Sequence, residues 1–480
     1  MKWYFVPFFA ILLFTVSVRV ALSVDSETTI YSAKIATLLP REARDNGKLG
    51  VIVKSLTSGE TIYEHNAQNL FIPASNEKII TSVAALSLLK RDYRFKTEFY
   101  SGGEVSKGVL YGGLYVKGYG DPMLGGPDIG FIVYQLKIMG ITEIKDGIIV
   151  DDSYFSRIRR ATGWKESWAD DFYSPPISAI TFNYNTIEIN VSSSVSGRKP
   201  SISIQPEGSN IAIVNNAVAG TKQGVLTTNW TNDQTIVVGG RIRPKSTVTL
   251  KIPVQNPTLL TGNILKNALQ EAGIKVTGSA VAGVVPNWAK LFYTHYSEPL
   301  YSIITEYLKN SVNIIGENLI KTLGAEFNGI PGSWENGSQV ISKFLNSIGI
   351  KDGFRVVDGS GLSLLNRVSP RTLTDVLSYA YTNKIIASDF IDSLPIAGVD
   401  GTLRKRFKQS DVQGRVVAKT GYLNNVRALS GYVFTKRGDV LVFSILDNGL
   451  GWKTKEFQSS LLTELVGCCG TGTTRNATVN

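Results

Sequence analysis

The apolar pattern of this chain changes character twice, and those two changes constrain its fold more than anything else in it. Residues 28–48 carry apolar positions at helical spacing, with Ile35, Ala36, Leu38 and Leu39 ahead of Pro40. Leu49–Leu56 and Thr61–His65 then read as two strands joined by the turn Ser58-Gly59-Glu60. Asn76–Lys90 reads as a helix whose stripe is Ile79, Ile80, Val83, Ala84, Leu86 and Leu88. From about residue 93 to 289 the chain is β-branched and punctuated by Gly, Pro, Asn and Ser, the pattern of short strands with close turns. Helical spacing returns in 301–309, 313–323, 337–347 and 370–381, followed by strands at 415–420, 428–434 and 440–446. At 480 residues the chain exceeds one ordinary core. The expected fold class is α+β. Residues 24–92 and 290–470 form one discontinuous domain, 93–289 form a β-rich insertion of one or two nested domains, and 471–480 form a polar tail.

The N-terminus adds a compartment. Lys2, the apolar run Trp3–Val18 and the small residues Ala21 and Ser23 have the form of a secretory signal peptide, residues 1–23. The run is short for a bilayer span, so cleavage is preferred over a retained anchor. The expected location is extracytoplasmic, or periplasmic. Only two cysteines occur, the neighbours Cys468 and Cys469, so the fold does not rest on a disulfide framework. Two histidines and no spaced ligand cluster argue against a metal site. A net charge of +11 invites a polyanion partner, yet the densest basic cluster is Arg404-Lys405-Arg406 with Lys408 and no interleaved aromatics. Nucleic acid is therefore not expected, whereas peripheral contact with an anionic membrane face is left open. Oligomeric state is not encoded.

Three short motifs carry chemistry. Ser75-Asn-Glu-Lys78 places a hydroxyl and an amine three residues apart on one helix face. A serine hydroxyl needs a base to become a nucleophile, and lysine can serve if burial depresses its pKa. Ser87-Leu-Leu-Lys90 and Ser196-Gly-Arg-Lys199 share the spacing but lack the preceding Pro-Ala loop and following apolar helix. Ser311-Val-Asn313 precedes Ile314, Ile315 and Leu319, where a helix cap is the plain alternative. In a shared cleft, Ser311 relays a proton toward the leaving amine and Asn313 binds the substrate amide. Lys419-Thr420-Gly421 ends an apolar strand; Lys419 and Thr420 suit a substrate carboxylate, and Gly421 suits close approach of substrate backbone. The N–H groups of Ser75 and Tyr422 then form an oxyanion hole. The three motifs in this order form a penicillin-binding and β-lactamase signature.

On these motifs the chain resembles class C low-molecular-mass penicillin-binding proteins, the D-alanyl-D-alanine carboxypeptidase/endopeptidase family. Further stretches extend the likeness: Gly118–Leu124, Asp152–Phe155, Asp358–Ser363, Leu394–Gly398 with Asp400–Leu403, and Leu429–Tyr432. The long gap between Lys78 and Ser311 is also family-like. The resemblance implies a serine β-lactamase/transpeptidase-like domain, an antiparallel sheet flanked by helices, interrupted by the insertion. It also implies a serine D-Ala-D-Ala carboxypeptidase/endopeptidase acting on peptidoglycan stem peptides, without cofactor and inhibited by β-lactams. Tyr422 stands where the family often has a small hydroxylated residue, and Gly316 where alanine is common. A β-lactamase or D-amino-acid esterase of the same fold, or a non-catalytic envelope scaffold, are the alternatives.

Overall fold

The computed structural model describes residues 28–44, 47–195 and 197–469. The expected signal segment 1–23 and tail 471–480 lie outside the described residues.

One sheet is built from both ends of the chain. Its five strands run in the order Thr61–His65, Leu49–Ser55, Val440–Asn448, Val426–Phe434 and Val416–Leu423. Every neighbouring pair is antiparallel, and the two ends of the chain meet where Val51 lies opposite Ile445. Successive side chains on a strand point to opposite faces. Leu441, Phe443 and Ile445 face one core, with Ile35, Leu39 and, from the Trp452–Gly467 helix, Phe457 and Leu461. Val442 and Leu446 face the other, which also holds side chains of Glu77–Leu88, Leu300–Lys309, Asn313–Asn328, Trp334–Ser347 and Pro370–Thr382. Covered on both sides, the central strands carry near-continuous apolar runs.

A second sheet joins four strands from within 93–289, Ala280–Ala282, Ile148–Asp151, Leu114–Gly118 and Lys96–Ser101, and then Lys290–Tyr296, just past that range, in that order. Two three-stranded sheets and a smaller four-stranded one surround it. The chain leaves and re-enters side by side, because Lys96 pairs with Tyr296 and the Leu300 N–H donates to the Tyr93 carbonyl at 2.8 Å. This segment is less purely β than its composition suggests. Gly126–Ile138 and Pro257–Glu271 are helices. In the first, Ile129, Ile132, Val133 and Leu136 are buried at helical spacing, so tertiary burial overrides the strand preference of β-branched residues. The second has a legible start: the Asn256 side chain accepts from the Leu259 N–H, and Pro257 occupies the first turn. Ala161, Trp164 and Ile177, also from 93–289, pack in the same core as Ile79 and Leu319.

Cys468 and Cys469 are bonded to each other. The bridge spans one peptide bond, closes no long loop, and so contributes nothing to chain-wide constraint.

Candidate active site

Ser75 lies in the 3₁₀ turn Ala74–Asn76 that leads into the Glu77–Leu88 helix. It does not cap that helix. Ala74 sits in the left-handed region at φ 48°, a conformation that non-glycine residues adopt only when surrounding structure enforces it. Two glycines hold this turn. A Cβ on Gly421 would stand 2.9 Å from the Pro73 carbonyl oxygen and 3.2 Å from the Ala74 Cβ. A Cβ on Gly361, at φ 85°, would come within 1.9 Å of the Ala74 carbonyl oxygen. Gly421 therefore lets its strand lie against the Pro73–Ala74 turn.

The helix next presents Lys78. Ten consecutive residues, Glu77–Leu86, are buried, so the lysine is carried into the core rather than along a solvated face. Its ammonium donates to Ser75 Oγ at 3.1 Å, Asn313 Oδ1 at 2.8 Å and the Ser360 carbonyl at 2.6 Å. The Tyr307 ring lies 5.6 Å from it. Burial strips water from the charged form and lowers the Lys78 pKa to about 7, against the opposing pull of Glu317, Asp358 and Glu77. Glu317 accepts from Trp334 Nε1 at 2.6 Å and the Ser360 N–H at 2.9 Å. Burial, and then Asp358 beside it, raise the pKa of Glu317. Asp358 accepts from Trp164 Nε1, Asn366 Nδ2 and the N–H groups of Gly361 and Ser363. Glu77 is fully buried with no hydrogen bond to either oxygen; burial and its acidic neighbours push its pKa well up, favouring the neutral acid.

Ser311 is not a cap either. It sits at φ 58° ahead of the Asn313–Asn328 helix, and its Oγ accepts from Lys419 Nζ at 2.9 Å. Asn313 has both ends of its amide engaged: Oδ1 with Lys78, and Nδ2 donating to the Tyr173 carbonyl at 2.8 Å. Lys419 is buried, and burial followed by the nearby Lys78 charge pushes its pKa well down. Thr420 Oγ1 donates to Thr402 Oγ1 at 2.8 Å. The Tyr422 side chain is 67% exposed and lies 4.0 Å from the Arg427 guanidinium, outside the polar network.

The eight residues singled out from sequence thus converge. Ser75, Ser311, Asn313, Thr420 and Tyr422 line one cleft of about 540 Å³, with Lys78, Lys419 and Gly421 directly behind its wall. Several partners carried no signal of their own. Trp168 and Tyr173 supply a wall from within 93–289, and Thr402 supports Thr420. Asn76, oriented to satisfy both ends of its amide, donates to the Lys419 carbonyl at 2.9 Å and accepts from Ser430 Oγ at 2.6 Å. Glu317, Asp358 and Thr402 fall in stretches already noted as family-like, but spacing alone gives them no role.

The D-Ala-D-Ala carboxypeptidase 3 (S13) family model matches residues 31–465. The chain is 31% identical over 437 residues to the D-alanyl-D-alanine carboxypeptidase of Actinomadura sp. (strain R39), covering 86% of this chain and 80% of that protein. It is 30% identical over 453 residues to the D-alanyl-D-alanine carboxypeptidase DacB of Haemophilus influenzae, covering 89% and 93%. The crystal structure of penicillin binding protein 4 (dacB) from H. influenzae matches with a TM-score of 0.80 at 27% identity, over 91% of this chain and 99% of that one. That protein has also been solved complexed with a novel β-lactam, and the complex matches with a TM-score of 0.76. The chain therefore has the transpeptidase-like α+β fold that its motifs imply.

Proposed function

Because the chain belongs to the D-Ala-D-Ala carboxypeptidase 3 (S13) family, it is a serine-type D-Ala-D-Ala carboxypeptidase, and we propose that Ser75 carries its acyl-enzyme with Lys78 as the base. Neutral Lys78 takes the proton from Ser75 Oγ, and the alkoxide attacks the carbonyl of the penultimate D-alanine. The N–H groups of Ser75 and Tyr422 receive the oxyanion. Lys419 and Thr420, the latter steadied by Thr402, bind the terminal carboxylate. Asn313 holds the amide of the acyl portion. The proton passes from Lys78 through Ser311 to the leaving amine, D-alanine departs, and water hydrolyses the ester. Cleavage of cross-bridges uses the same steps with a larger amine. A β-lactam acylates Ser75 and keeps its leaving group tethered, so the adduct persists.

The observation that carries this reading is the contact of Lys78 with Ser75, Asn313 and Ser360 in a buried setting that favours the free amine. Residues 24–92 and 290–470 are taken as the catalytic domain and 93–289 as its insertion. The substrate lies in the envelope, which goes with export of the chain. Mass spectrometry after penicillin treatment tests the assignment. One adduct mapped to Ser75, absent from Ser75→Ala, is expected. An adduct on another side chain, or none, overturns it.

A further inference from the structure

A second cavity, about 280 Å³, opens beside the catalytic cleft and shares Tyr173, Ser311 and Asn313 with it. This is just below the roughly 300–1,000 Å³ of free-standing small-molecule sites, so it reads as an extension of the cleft. Its walls come from two parts of the chain. Glu306 and Asn310 lie at the end of the Leu300–Lys309 helix, whereas Tyr184 and Lys251 come from within 93–289, Lys251 on the Ser246–Pro253 strand. Glu306 is already engaged, accepting from Asn310 Nδ2 at 2.7 Å. Lys251 is not: its ammonium stands 6.0 Å from the Tyr184 ring centroid and makes no ion pair among the described residues. The cavity thus offers one uncommitted cation beside an aromatic face and a fixed carboxylate.

Resting on the function proposed above, we infer that this cavity is a subsite for the neighbouring peptide stem of a cross-linked substrate, with Lys251 binding a free carboxylate of that stem. The cavity is reached past Ser311, the residue assigned to the leaving amine. When the leaving group is free D-alanine, Lys419 and Thr420 take its one carboxylate and no atoms remain to enter the cavity. When the leaving amine belongs to a second stem, that stem carries further backbone and a further carboxylate, and the cavity beside Ser311 is where they extend. The inserted segment thereby contributes to substrate choice without touching the reacting atoms.

The test compares a cross-linked muropeptide dimer, a single-stem pentapeptide and a chromogenic penicillin on wild type, Lys251→Ala, Lys251→Glu and Lys251→Arg. Lys251 is exposed on its strand, and thermal melts verify that the variants fold. Lys251→Ala is expected to lower kcat/KM for the dimer about tenfold, in line with loss of a charge-assisted contact. Lys251→Glu lowers it further, and Lys251→Arg restores it. The pentapeptide and penicillin rates change less than about twofold, because Lys251 lines the second cavity and not the catalytic cleft. Equal losses on all three substrates, retained dimer cleavage in Lys251→Ala, or a wild type unable to cleave the dimer each overturn the subsite. A wild type that penicillin does not acylate overturns the underlying reading as well.

Discussion

Acylation of Ser75 should switch off as pH falls through 7, a limb that belongs to Lys78. An ordinary lysine titrates at 10.5, and burial brings this one to about 7. At pH 7 an unperturbed lysine is neutral in only about 3 molecules in 10,000, whereas a group with pKa about 7 is neutral in about half, a gain of about a thousandfold in competent base. Below the limb the amine holds its proton and cannot take one from Ser75 Oγ, 3.1 Å away. Between pH 8 and pH 5 the neutral fraction falls from about nine-tenths to about one-hundredth, so acylation should slow about a hundredfold with unit slope. The assay is stopped-flow acylation by a fluorescent penicillin, whose own carboxylate stays ionised over this range. Circular dichroism at each pH separates titration from unfolding. A flat profile between pH 5 and 8, or a limb centred above pH 9, would refute the claim that burial sets the base.

Further outcomes follow from neighbouring contacts. Lys78→Met removes the titrating group, so wild-type stability should rise relative to that variant by about 1.4 kcal/mol per pH unit between pH 7 and 10.5, where only the unfolded lysine still binds a proton; parallel urea titrations at pH 7 and 9 check the sign. Asn76→Ala leaves the Lys419 carbonyl and Ser430 without their buried partner and should cost about 1–3 kcal/mol, read as a lower urea midpoint together with slower acylation. Gly421→Ala puts a methyl 2.9 Å from the Pro73 carbonyl oxygen and should cost about 1–3 kcal/mol by overpacking, with a loss of acylation larger than the shift in melting temperature.

How much of this was legible differs by element. The long helices after residue 297 and the strands of the central sheet could be read because each keeps one period and buries the face that period predicts. The motif residues could be read because serine and lysine three apart on a helix are chemically unusual when the helix is otherwise apolar. Gly126–Ile138 keeps the helical spacing of Ile129, Ile132, Val133 and Leu136 but is obscured, because three of those four are β-branched and the surrounding segment is strand-rich. The Pro257–Glu271 start was written in Asn256-Pro257 and was masked by the β-rich context. Asn76 and Tyr173 were opaque for another reason: each acts through a contact more than 100 residues away, and nothing local marks it.

The cluster around Lys78 shows why such contacts are needed. Three acidic residues, Glu77, Glu317 and Asp358, surround one buried amine. Were all three ionised, their field would restore the lysine charge and abolish the base. They differ in their hydrogen bonds. Asp358 receives four donors. Glu77 receives none, burial favours its neutral acid, and its pull on Lys78 is the weakest of the three. Burial, the first cause for both glutamates, pushes Glu77 and Glu317 toward their neutral acids and so leaves Lys78 free to act. Glu77→Gln preserves that neutral state and should leave the acid limb near pH 7, while supplying Glu77 with a donor should stabilise its carboxylate and move the limb to higher pH. A Glu77→Gln variant whose acylation limb drops by a full pH unit or more would show that Glu77 is ionised, and that burial does not hold it as the neutral acid.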